Sequence, residues 1–267
     1  MRFARTTLSI AATLALSAPA FAGPFAPAAG QSGSTAIHKD SALFAGWATG
    51  WEDYTVSAST SAVANSWRTP EKALGKAVGD SYDIVSLGNG GSITLTFDGY
   101  IFDGEGADFA VFENSFSAAF LELAFVEVSS NGIDFFRFPT YSFTPSPVNA
   151  FGAVDPTNID GFAGKYQQGW GTPFDLSLLA GTAGLDIQRV THIRLVDVVG
   201  NGSEYDSFPA AYGGPNKIYD PYNTTGSQGF DLDAIGVIHL AAAVPEPSQI
   251  ALFAAGLGVL ALRRRRV

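Results

Sequence analysis

The chain has 267 residues, with 25 acidic side chains against 15 basic ones, three histidines and no cysteine. The missing cysteine excludes disulfides and a thiol nucleophile, and the acidic balance excludes nucleic acid as a natural partner. Thirty glycines, 14 prolines and 21 phenylalanines favour many short strands joined by turns over helices.

Residues 1–22 have the three zones of a secretory signal peptide. Arg2 and Arg5 are followed by a mostly apolar run over 8–18, then by Pro19-Ala20-Phe21-Ala22 with small residues at −3 and −1 before Gly23. The apolar run is about half the ~20 residues that cross a bilayer, so it predicts a removed leader and not an anchor. Residues 23–36 are rich in Gly, Pro, Ala and Ser and read as a flexible leader. Residues 37–243 are the expected length of one all-β domain, ample for a sizeable core. Over 23–243 nine basic residues face 24 acidic ones, a net of −15. That surface repels nucleic acid and anionic membranes and suits divalent cations or solubility.

Within the domain, residues 70–78 predict a turn or helical turn. Residues 92–97 (SITLTF) alternate strictly, with Ile93, Leu95 and Phe97 on one face of a half-buried strand. Further strands are expected over 108–114, 121–129, 190–199 and 230–240, with Asn131-Gly132 turning the third into a partner over 135–138. Long Gly/Pro/Asp loops fill 141–155, 160–174 and 200–229. With no amphipathic helix and no sustained repeat, the expected fold is all-β, a β-sandwich or jelly roll with long loops. Ala73-Leu74-Gly75, residues 85–97, residues 108–114 (DFAVFEN) and residues 229–235 (GFDLDAI) together resemble a recurring body of bacterial cell-surface proteins. The resemblance implies a jelly-roll, galactose-binding-like module and no defined activity.

Two groups of carboxylates suggest metal chemistry. Asp103, Glu105 and Asp108 lie within six residues in a Gly-rich stretch, and calcium takes ~6–8 hard oxygen ligands of this kind. Asp231 and Asp233 are two apart on an expected strand, so both project from one face, with Phe230, Leu232 and Ala234 facing the other way. Like charges so placed need a cation, a donor network or solvent. The resemblance to jelly-roll binding modules implies a structural calcium on Asp231 or Asp233. The simpler alternative is carboxylates capping backbone N–H groups in turns.

Other chemistry has weaker signals. Glu113-Asn114 ends an apolar strand as a hydrogen-bonding pair; a glycosidase would need a second carboxylate ~5–9.5 Å away. His38, His192 and His239 carry no zinc-ligand spacing, no G-x-S-x-G elbow is present, and residues 88–91 lead into a strand instead of the helix a phosphate cradle requires. Tyr166 and Trp170 in 165–171, and Tyr219 and Tyr222 in 218–223, are loop aromatics flanked by Asp, Asn and Gln, a composition suited to sugar stacking. The simpler reading is that they pin long loops to the sandwich.

The chain closes with Pro245-Glu246-Pro247, an uncharged apolar run over 250–262 and the cluster Arg263, Arg264, Arg265 and Arg266. Thirteen residues at ~1.5 Å rise cover about 20 Å, short of the ~30 Å hydrocarbon core. Flanking Gln249 and the arginines extend the span by snorkelling, and the arginines stay cytoplasmic. This three-part tail, 244–267, resembles the PEP-CTERM sorting signal of Gram-negative bacteria. The resemblance implies transient anchorage in the inner membrane, cutting near Pro-Glu-Pro by an exosortase, and association with the cell surface and exopolysaccharide matrix. The alternative is a plain tail anchor. The expectation is therefore an exported, non-catalytic surface or matrix protein. Two alternatives are a calcium-dependent module binding exopolysaccharide and, remotely, a secreted glycoside hydrolase.

Overall fold

The computed structural model describes residues 23–56 and 63–242. The expected signal peptide over 1–22 and the tail over 244–267, with the transmembrane helix expected there, lie outside the described residues.

Two six-stranded sheets, each antiparallel throughout, make a sandwich. One sheet runs Ile37–His38, Trp170–Phe174, Phe109–Glu113, Asp231–Val237 and Gly46–Trp47, with Val85–Ser86 also on Asp231–Val237. The other runs Leu240–Ala242, Ser92–Ile101, Val190–Asp197, Ala124–Ser129 and Phe136–Arg137, with Gly50–Thr55 also on Ser92–Ile101. Helical content among the described residues is limited to short 3-10 turns. The all-β sandwich with long loops is thus the observed architecture.

The period-2 pattern decides what lies between the sheets. Ile93, Leu95 and Phe97 share their sheet's inner face with Val126, Val128, Ile193 and Leu195 and join one core with Phe109, Val111, Ile235 and Val237 of the other sheet. Phe109 stacks on Phe174 with ring centroids 5.3 Å apart and meets Phe138 edge-on at 5.9 Å. Two smaller clusters cover outer faces. Ala110, Phe112 and Ala234 pack under Phe44 and Trp47, while Leu121, Leu123 and Phe125 pack under the long loops through Val154, Ile159, Phe162 and Ile218.

Three expectations change. The segment over 160–174 is not all loop: Trp170–Phe174 is an interior strand, between Ile37–His38 and Phe109–Glu113. Gly and Pro hid it. Gly171 is required because a Cβ there would sit 2.8–2.9 Å from the Phe112 ring and Ala110. Pro173 is tolerated because Ile37–His38 pairs only Trp170 and Gly171, leaving one edge of Pro173 free. Second, residues 23–36 lie against the body: Gly23 N donates to Thr157 Oγ1, Phe25 stacks on Tyr141 and Phe143, and Thr35 Oγ1 bonds the Tyr166 hydroxyl at 2.8 Å. Third, the last long strand carries a bulge between Leu232 and Ala234. Phe230 and Leu232 enter the inter-sheet core, whereas Ala234 packs on the outer face with Phe112. The extra residue re-aims the strand by one register, so Ala234 does not share a face with Leu232.

Candidate functional sites

Most of the buried acidic side chains act as clamps on loop backbone. Asp108, fully buried, accepts from Gly104 N at 2.8 Å, Leu176 N at 2.6 Å and the His239 ring at 2.7 Å. Asp233 accepts from Val78 N and Gly79 N. Asp206 accepts from Ser142 N, Phe208 N, Asn216 N and Asn216 Nδ2. Asp197 accepts at 2.6 Å from both Gly90 N and Phe230 N. Long loops of a β-domain contain backbone donors with no ladder partner, and a buried carboxylate satisfies two at once.

The five carboxylates singled out in the sequence are therefore divided. Asp103 and Asp108 are joined by Asp175, a residue from a distant loop, and the ligand oxygens of the three lie within 4.8 Å of one another. Glu105 is exposed and forms no part of that group. Burial, then the charges of Asp108 and Asp175, raises the Asp103 carboxyl. Asp231 and Asp233 belong to the opposite end of the same sheet, because Val237 pairs with Phe109 while Leu232 pairs with Glu113. They also part from one another: Asp233 closes the 78–79 turn, whereas the charge of Asp231 acts on Glu113 and Glu122.

That electrostatic link was not legible in the sequence. Glu113 ends a strand, Glu122 precedes one, and Asp231 begins one; they are 1%, 4% and 2% exposed. Burial, then the charge of Asp231, pushes the carboxyls of both Glu113 and Glu122 well above the usual range. Burial pushes Asp231 up to about 7 against bonds from Ser227, Ser86 and Asn114. Nothing in the spacing of three residues over more than a hundred positions signals this link; the one hint is a glutamate interrupting each of two apolar runs.

The four aromatics do not form one platform. Tyr166 is buried, 1% exposed, and bonded to Thr35, so it is a loop anchor and not a sugar-stacking ring. Trp170 is half-buried in a strand and meets His38 edge-on at 4.9 Å. Tyr219 lies in the hairpin of Asn201–Tyr205 with Lys217–Tyr219. Tyr222 belongs to the short parallel pair of Val148–Asn149 with Pro221–Tyr222 and is 37% exposed. Tyr219 lines an open groove of about 410 Å³ with Ser142, Phe143, Thr144, Pro145, Pro215, Asn216 and Lys217. The Ser142 and Thr144 hydroxyl oxygens are buried and have no hydrogen-bond partner.

Comparison with known proteins places one segment. No curated protein and no solved structure matches the chain. Residues 243–266 match the PEP-CTERM protein-sorting motif, covering Pro245, Glu246, Pro247 and the four arginines. The chain thus carries a PEP-CTERM motif behind a β-sandwich body, which implies an exported protein sorted at the membrane and cell surface by an exosortase.

Proposed function

We propose that the protein is a non-catalytic component of the cell surface or extracellular matrix, with the sandwich as the delivered body and the tail as its processing site. The observation that carries this reading is the sorting motif at 243–266. The body supports it: its buried carboxylates clamp loops, and Glu113, Glu122 and Asp231 are too enclosed to admit a sugar ring. His38, His192 and His239 are each engaged separately, with Trp170, Thr191 and Asp108.

The test follows an epitope tag inserted beside Ile133, which is 81% exposed, in hosts with and without an exosortase. The expected result is a shortened chain at the cell surface only when the exosortase is present, and an uncut, membrane-held chain for Glu246→Ala. Full-length chain in both hosts would sink the proposal.

A second reading, a carbohydrate-binding module for exopolysaccharide, is favoured by the groove beside Tyr219. Its lining of Tyr219 and Phe143 rings, two prolines, Asn216 and Lys217 is the mixed apolar and polar composition that sugars use. Pull-down of the full chain on exopolysaccharide is expected to fail for Tyr219→Ala and to survive Trp170→Ala. Loss of binding in chelator would make the module calcium-dependent; no retention of the unmodified chain in either buffer removes this reading.

A further inference from the structure

Two loops at one end of the sandwich set three phenylalanines face to face. Phe116 stacks on Phe120 with ring centroids 4.6 Å apart, and Phe120 stacks on Phe151 at 5.8 Å. The middle ring is buried, whereas Phe116 is 61% and Phe151 58% exposed. Backbone bonds hold the loops in place: Val154 N donates to Ala119 O at 2.8 Å, and Phe120 N donates to Ser117 Oγ at 3.0 Å. Ala118 and Ala153, on the same loops, are exposed too. No charged side chain occurs over 114–121 or 138–154, in a body with a large acidic excess.

Folding gives no reason for these rings to face water. Phe151 holds φ at +60°, a region that suits glycine and strains a bulky side chain, yet the ring so placed stands mostly in solvent. Single exposed apolar residues are ordinary, but a contiguous aromatic patch without charge marks a contact surface.

The path of the chain says what that surface meets. The closing strand pairs Leu240 with Ile101 and Ala242 with Gly99, so it runs toward the Ser92 end of Ser92–Ile101. Ser92 pairs with Val196, and Asp197 after it pairs with Ala124, shortly past Phe120 in the chain. Glu113, just before the Phe116 loop, reaches the same end, because Asp197 accepts from Phe230 N beside the Leu232–Glu113 pair. The rings and the exit path therefore share one end of the sandwich. From Gly99 back to Ser92 a strand covers about 24 Å. Residues 243–249 reach at most about 25 Å. The apolar run that begins at Ile250 is thus within reach of the end that carries the rings.

We propose that Phe116, Phe120 and Phe151 form a lipid-docking wedge that seats the body on the leaflet facing it while the tail is held in the membrane. The terminal arginines stay cytoplasmic, so body and rings meet the opposite leaflet. The loops bring no charge that would have to leave water. The tether supplies a high local concentration, so a small apolar contact suffices where a free protein would need a larger one. The inference rests on the reading of 243–266 as a membrane-sorted tail. Its test reads depth in lipid and not cutting, and vesicle flotation reads the tail by itself.

The chain has no cysteine, so a single introduced one takes the only label. Ala118→Cys places a nitroxide beside the rings. Ile133→Cys, at a position 81% exposed and past the far end of Ala124–Ser129, places one at the opposite end. Each labelled chain, from Gly23 to Val267, is reconstituted in phosphatidylcholine vesicles and floated. Electron paramagnetic resonance then reads its collisions with oxygen and with a water-soluble nickel chelate. The expected label at 118 meets oxygen and is shielded from nickel, while the label at 133 meets nickel freely. Adding Phe116→Ser with Phe151→Ser should return 118 to nickel. That chain should still float and should melt close to the unmodified one, as changes at exposed positions do. Nickel access at 118 equal to that at 133, or shielding that survives both serines, would overturn the wedge. So would a label shielded from both reagents, which places protein and not lipid over the rings. A chain that does not float removes the membrane reading of the tail, and the wedge with it.

Discussion

Phe109→Ala should lower stability by about 3–5 kcal/mol, the range for emptying a large aromatic site in a packed core. Phe109 is fully buried, stacks on Phe174 and edges onto Phe138. Phe138 and Phe174 also contact each other, at 5.1 Å, so the two cannot close the gap without losing their own packing. The ring also stands at the first residue of a strand whose register sets both ends of the sheet. Phe109 pairs with Phe174 on one side and with Val237 on the other. For a domain of this size the loss corresponds to a fall of roughly 10 °C in Tm. Thermal melting of the purified full chain checks it; a fall under about 3 °C would mean that the core collapses around the gap, against the rigid packing of protein interiors.

Asp197→Ala should cost about 2–5 kcal/mol, since it leaves two buried N–H groups, those of Gly90 and Phe230, without an acceptor. The residue closes the last turn of one sheet's strand onto the entry of the other sheet's strand, so the loss is felt by both. Its charge adds a pH dependence. Burial first, then the charge of Asp220, holds the Asp197 carboxyl well above its ordinary 3.8, despite the two N–H bonds that pull it down. A carboxyl raised by folding contributes stability that is complete below its unfolded value and is lost as pH climbs through the folded one. In Asp197→Asn the side chain cannot ionise, so that decline is absent. Melting curves from pH 4.5 to 8 in chelator should show the difference between the Asn variant and the unmodified chain shifting in the variant's favour as pH rises. Parallel curves would show that Asp197 stays ionised throughout, its two donors outweighing burial.

The strands that alternate cleanly were readable because one face must leave water. Ile93, Leu95 and Phe97, the 190–199 segment and the hairpin at Asn131-Gly132 all carry that signature, and all are strands of the second sheet. Trp170–Phe174 was hidden because it breaks the propensity rules for reasons supplied by its neighbours: a ring crowding Gly171 and a missing partner beside Pro173. Tyr166 has the flanking residues of a sugar-stacking ring, yet its hydroxyl finds Thr35 of a segment that reads as a flexible leader. The difference between an anchor and a ligand-binding aromatic lies in what covers it, and local composition does not record that.

The amino-acid order by itself determined the all-β class, the acidic surface and the C-terminal sorting motif, because each depends on composition, on a two-residue period or on a contiguous segment. The tertiary structure alone decided which carboxylates meet. A single bulge after Leu232 sends Asp233 to the 78–79 turn and leaves Asp231 with its charge acting on Glu113 and Glu122, and it was chain folding over about 70 residues that placed Asp175 beside Asp103 and Asp108. Electrostatic energy depends on distance through space, and in a sheet of antiparallel strands that distance is set by register and not by separation along the chain.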